Sequence, residues 1–77
     1  MTRQQFIEAL AEMLETDASG ISMDSVLKEL PNWDSLATLS FIALADSQLG
    51  RTVKGSELVK ARTVQDLAAL LPGSITD

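Results

Sequence analysis

Ser35 is the residue whose type and setting point most directly to chemistry. It lies in Asn32-Trp33-Asp34-Ser35-Leu36, and the run that follows holds no Gly or Pro until Gly50. Leu36, Leu39, Ile42, Ala43 and Leu49 recur at three-, four- and seven-residue steps, which is the spacing of one helix face. Asp34 is a preferred N-cap type: its carboxylate can accept from a first-turn amide and sits at the positive end of the helix dipole. Ser35 then takes the first helical position, where a hydroxyl is badly placed for burial and well placed for modification. A phosphate attached there would lie among free amide donors.

Few other groups could take part in catalysis. The chain has no Cys, which removes thiolate nucleophiles, disulfides and cysteine metal sites, and no His, which removes the commonest general base and zinc ligand. A serine hydrolase triad centred on Ser35 would lack its base, and Asp34 is better accounted for as a cap. A self-sufficient enzyme would have to turn over without help from a second protein, and these residues argue against it.

The elements that must hold Ser35 follow from pattern. Thr2 and Gln5 match a capping box, and Phe6, Ile7, Leu10, Met13 and Leu14 form an apolar stripe opposed by Glu8, Glu12 and Glu15, so a first helix is expected to end near Glu15. Thr16 to Gly20 is a polar breaker. The stretch beyond it holds Ile21, Met23, Val26, Leu27 and Leu30, too many apolar residues for a solvated loop, and is expected to be a packed connection with a short helical turn that starts at Asp24 or Ser25 and stops at Pro31.

After the Ser35 helix, Gly50 is the expected C-cap, with Arg51 and Lys54 near the negative helix end. Ser56 to Ala61 predicts a brief helix presenting Leu58 and Val59. Thr63 caps a last helix carrying Val64, Leu67, Ala68 and Leu71, and Pro72-Gly73 stops it. The tail from Ser74 to Asp77 is expected to fray. The core expected from these stripes is Phe6, Leu10, Leu14, Leu27, Leu39, Ile42, Leu49, Val64, Leu67 and Leu71. Phe41, Leu44 and Ala45 fall off the stripe chosen for the main helix, which is therefore apolar around much of its circumference. Such a helix is either buried on more than one side or keeps part of its surface for a partner or cargo.

Length and charge set outer bounds. At 77 residues the chain is expected to form one domain, residues 1–77, and 45% hydrophobic residues with few aromatics predict a core of Leu, Ile, Val, Ala and Met. A net charge of -5 argues against nucleic acid, whose phosphates are bound by clustered Lys and Arg. The acidic residues gather before Ser35, a distribution that either solvates the surface or steers basic partners. No stretch is apolar for long enough to span a membrane, and the early glutamates fit neither a secretory nor a targeting peptide, so the cytoplasm is the expected location. Without repeats or linkers, a free-standing monomer is expected.

Asp34-Ser35-Leu36 at the start of an apolar helix, near the middle of a small acidic chain, resembles the modification site of acyl carrier proteins. The resemblance extends over essentially the whole chain in length, element order and position of the serine. It implies an all-α fold, a small four-helix bundle with a long first loop and a short third helix. It also implies that Ser35 is the attachment point of a 4′-phosphopantetheine arm, flanked by Asp34 and Leu36, and that a separate phosphopantetheinyl transferase moves the arm there from coenzyme A. Acyl groups would then be held as thioesters on the arm's thiol and presented to acyl-loading and acyl-processing enzymes. The chemistry would lie on the cofactor and in the partners, which suits a chain without Cys or His.

In that family the helix after the serine usually carries several carboxylates that meet basic partners. Here the corresponding surface reads Ala37, Ser40, Ser47 and Gln48, with only Asp46 acidic. Trp33, Ala37, Ser40 and Asp46 are the expected partner surface, with Trp33 equally suited to capping the core end. The departure points away from general fatty acid synthesis and towards dedicated partners in polyketide, nonribosomal-peptide or related pathways. Two alternatives stay open: a peptidyl or aminoacyl carrier of the same fold, and a helical interaction module without the arm.

Overall fold

The computed structural model describes residues 1–76. Four α-helices are found among them and no strand: α1 Arg3–Met13, α2 Ser35–Leu49, α3 Gly55–Leu58 and α4 Val64–Ala69. The long connection between α1 and α2 holds 3-10 turns at Ala18–Gly20 and Leu27–Glu29. This is the expected small all-α bundle with a long first loop and a short third helix.

Local chemistry sets most of the boundaries. Thr2 Oγ1 accepts from the Gln5 amide at 3.1 Å while Gln5 Oε1 accepts from the Thr2 amide at 2.8 Å, closing the capping box that starts α1. The far end of α1 is a Schellman turn, in which the Thr16 amide donates to Ala11 O and the Glu15 amide to Glu12 O. The αL position of that turn, usually a glycine, is Glu15 at φ 55°. Gly50 ends α2 at φ 63°, in the left-handed geometry expected of it. Glu57 Oε1 accepts from the Lys54 amide ahead of α3.

Thr63 and Asp66 form a second capping box, and Asp66 Oδ2 also takes the Arg62 amide at 2.9 Å. The Arg62 amide first, then that of Thr63, holds the Asp66 carboxyl below its ordinary value. A group whose folded value is depressed adds stability above the unfolded value of about 3.9, and that stability is lost as pH falls through the folded value. Melting temperatures of the native chain and of Asp66→Asn are therefore expected to converge on acidification below about pH 4. A constant gap between pH 7 and pH 3 would show that the negative charge on Asp66 adds nothing to folding.

The core joins α1 to one stripe of α2 and to the later elements. Phe6, Leu10 and Leu14 meet Leu27, Phe41, Val64, Leu67 and Leu71, all buried, and Ile21, Val53 and Leu58 close the edges. The Phe6 and Phe41 rings meet edge to face, with centroids 6.2 Å apart. The face of α2 that turns inward is Ala37, Phe41 and Ala45, not the stripe expected from spacing. Leu39, expected in the core, is 64% exposed, and Leu36 is 71% exposed. Ile42 and Leu49, also expected there, are half-buried at the core margin. Two alanines a turn above and below Phe41 let α2 approach its neighbours closely enough for the ring to fill the middle.

The first loop is packed, as its apolar content required, but its helical turn begins at Leu27, later than Asp24 or Ser25. Main-chain bonds fix it: Leu27 N donates to Arg62 O at 2.8 Å, Val64 N to Ser25 O at 3.1 Å and Gln65 N to Met23 O at 2.8 Å. The tail is not frayed over Ser74 to Thr76. Thr76 pairs with Thr2 in a parallel bridge, and Arg51 reaches from the end of α2 to Pro72 O and Ser74 Oγ. Asp77 lies outside the described residues.

Candidate functional site

Ser35 stands at the first position of a 15-residue helix. Asp34 precedes it in extended geometry, and its Oδ1 accepts from the Ala37 amide at 2.9 Å. The Thr38 amide continues the turn to Asp34 O at 3.1 Å. The amides of Ser35 and Leu36 come too early in the helix for an intrahelical acceptor, and no other described group accepts from them. Ser35 itself is exposed and its hydroxyl makes no hydrogen bond among the described residues.

A small cleft of about 240 Å³ flanks the serine, bordered by Leu14, Glu15, Asn32, Asp34, Leu36 and Ser40. Two of its borders, Glu15 at φ 55° and Asn32 at φ 64°, are the only described non-glycine residues in the left-handed region. Asn32 is held there by its Nδ2, which donates to Leu14 O at 2.7 Å and so ties the approach to Ser35 onto the end of α1. Asn is a residue type that tolerates this geometry, so its place beside Pro31 was a usable signal. Nothing in the sequence marked Glu15.

The residues expected at the partner surface divide. Asp46 is exposed; Trp33 and Ser40 are half-buried, with Trp33 packed against the core margin. Ala37 is only 6% exposed and belongs to the core, because it shares the inward stripe with Phe41 and Ala45. The little surface it keeps lines the cleft and does not face outward. What α2 presents outward beside Ser35 is apolar instead: Leu36, Leu39 and Ala43.

The setting fits a bulky phosphodiester. The hydroxyl is unhindered and uncommitted, two unpaired amides lie next to it, and the positive end of a long helix faces it. Asp34 brings a negative charge close by, but its carboxylate is engaged as the cap. Replacing Asp34 by Ala is expected to cost about 1 kcal/mol through the lost cap and to slow modification of Ser35. A melt paired with a loading time course checks both. Normal loading at a lowered melting temperature would leave Asp34 a purely structural role.

A short helical bundle with an exposed serine opening its longest helix has the form of a carrier domain. The family model described as "Phosphopantetheine attachment site" matches residues 4–71, and the chain belongs to that family. It is a phosphopantetheine-dependent carrier protein, and the cofactor of this family, 4′-phosphopantetheine, is attached covalently. Carrier domains work with partner enzymes and are generally not catalytic themselves. Comparisons with curated proteins and with solved structures gave no match. Among the described residues no helix is long and apolar enough to cross a membrane.

Proposed function

We propose that Ser35 carries the arm and that residues 1–77 act as a single, monomeric, non-catalytic carrier domain serving a dedicated set of partner enzymes. The observation that carries this reading is the exposed, uncommitted hydroxyl of Ser35 at the start of α2, within the residues matched by the family. A transferase makes the bond from the Ser35 oxygen to the phosphorus nearer the pantetheine and breaks the pyrophosphate link of coenzyme A. The adenosine bisphosphate half leaves with the bond's electron pair, and the serine proton passes to a base of the transferase. When bound, the group supplies a thiol on which an acyl cargo is held as a thioester.

This chain's own residues do the positioning. Asp34 fixes the first turn, the Asn32 bond to Leu14 O fixes the approach, and the core holds α2 in place beneath. A supply of coenzyme A in the cytoplasm is in keeping with a cytoplasmic location. The near absence of carboxylates at Ala37, Ser40, Ser47 and Gln48, together with the outward Leu36 and Leu39, supports recognition by apolar contact, which favours polyketide, nonribosomal-peptide or related partners over those of general fatty acid synthesis. Equal acceptance by a broad panel of fatty acid synthase enzymes would count against that assignment. The reading as a whole is tested by intact mass before and after incubation with coenzyme A and a broad-specificity phosphopantetheinyl transferase. A gain of one phosphopantetheinyl group is expected. No gain on a folded sample with several transferases would leave an interaction module without an arm.

A further inference from the structure

Three of the six Lys and Arg residues in this acidic chain, Lys28, Lys60 and Arg62, border one groove of about 570 Å³. Val26, Val59 and Ala61 supply its apolar part, with Val59 80% exposed and Val26 39% exposed. The two segments that form it are joined along their backbones, by the Leu27 amide to Arg62 O at 2.8 Å and by the antiparallel bridge of Val26 to Thr63. The groove is therefore already built, with no backbone left to order on binding.

No carboxylate borders this groove among the described residues. Of the nearby acids, Glu57 is turned to the Lys54 amide and Asp66 to the amides of Arg62 and Thr63, where each serves a helix start. Asp66 also feels the charge of Arg62. Glu29, next to Lys28 in the 3-10 turn, is exposed. Lys28 and Lys60 form no ion pair among the described residues.

An apolar patch rimmed by two uncommitted lysines and by Arg62, on a chain of net charge -5, is complementary to apolar side chains flanked by carboxylates. We infer that this groove is a second docking surface, separate from Ser35 and the outward leucines of α2, and that it takes an acidic segment of a partner polypeptide. An apolar side chain of that segment would pack on Val26 and Val59 while its carboxylates meet Lys28, Lys60 and Arg62. The inference does not depend on where the arm is attached, since the groove is complete in the unmodified chain.

Backbone amide shifts of the isotope-labelled, unmodified chain test it during titration with a short end-blocked peptide of leucines flanked by glutamates. The same peptide with lysine at every glutamate position serves as the control. Shifts confined to Val26, Lys28 and Val59 to Arg62 are expected with the acidic peptide alone, weakening as salt is raised. The double charge reversal Lys28→Glu with Lys60→Glu should weaken binding about tenfold or more. Lys28→Gln with Lys60→Gln should fall between that variant and the native chain, which guards against a reversal that disturbs folding. Val59→Ser should weaken binding without changing its salt dependence.

Four results would overturn the inference: no shift, equal shifts with the lysine peptide, shifts centred on Leu36 and Leu39, or binding untouched by the charge reversal. Shifts at the same amides that grow with protein concentration in the absence of peptide would also overturn it, by making the occupant a second copy of this chain.

Discussion

Phe41→Ala is expected to cost about 3–5 kcal/mol, while Leu39→Ala, two residues earlier and by spacing the better core candidate, is expected to stay within about 0.5 kcal/mol of the native chain. Phe41 is wholly buried against Phe6 and the later helices, so truncation removes its transfer free energy, opens a cavity in a small core and ends the ring contact. Leu39 is 64% exposed and has little burial to lose. A domain of this size holds a total of roughly 4–12 kcal/mol, so the Phe41 variant should melt at least roughly 12 °C lower or fail to fold at room temperature. Circular dichroism melts of the two variants side by side decide the matter. Equal losses would mean that α2 is rotated from the orientation described.

That contrast shows where the sequence was legible. Boundaries were readable because they rest on local bonds: Thr2 with Gln5, Asp34 with the Ala37 amide, Gly50 at the end of α2 and Thr63 with Asp66 each involve residues a few positions apart. The inward face of α2 was not. Leu36, Leu39, Ile42, Phe41, Leu44 and the alanines ring the helix, so apolar spacing fits more than one face and the choice falls to packing. Small residues at 37 and 45 around a large one at 41 beat a row of leucines, because close approach fills space that a leucine stripe would have held open.

Ties between residues far apart in the chain were equally hidden. The pairing of Thr2 with Thr76 and the reach of Arg51 to Pro72 and Ser74 hold a tail that composition alone marks as loose. Near Ser35, the Asp34 cap and the exposed start of α2 were readable from local pattern. The cleft beside them was not, since it depends on Glu15 taking a left-handed turn that sequence would assign to glycine.

Ser35→Ala is expected to abolish loading completely and leave the fold intact. The side chain is exposed and its hydroxyl makes no hydrogen bond among the described residues, so its removal breaks no contact; Ala is also the better helix former at an exposed position. The melting temperature should stay within a few degrees of native, corresponding to about 0.5 kcal/mol or less, while the mass gain on incubation with coenzyme A and transferase disappears. An effect of that form separates chemistry from structure. A variant that both unfolded and failed to load would indicate a structural serine.

The most direct measurement is to digest the native chain after loading and locate the added phosphopantetheinyl mass by fragmentation. The expected result places it on Ser35 alone, with Ser40, Ser47 and Ser56 unmodified. Mass on any of those serines, or none on Ser35 in a folded and loaded sample, would contradict the assignment of the arm to the start of α2.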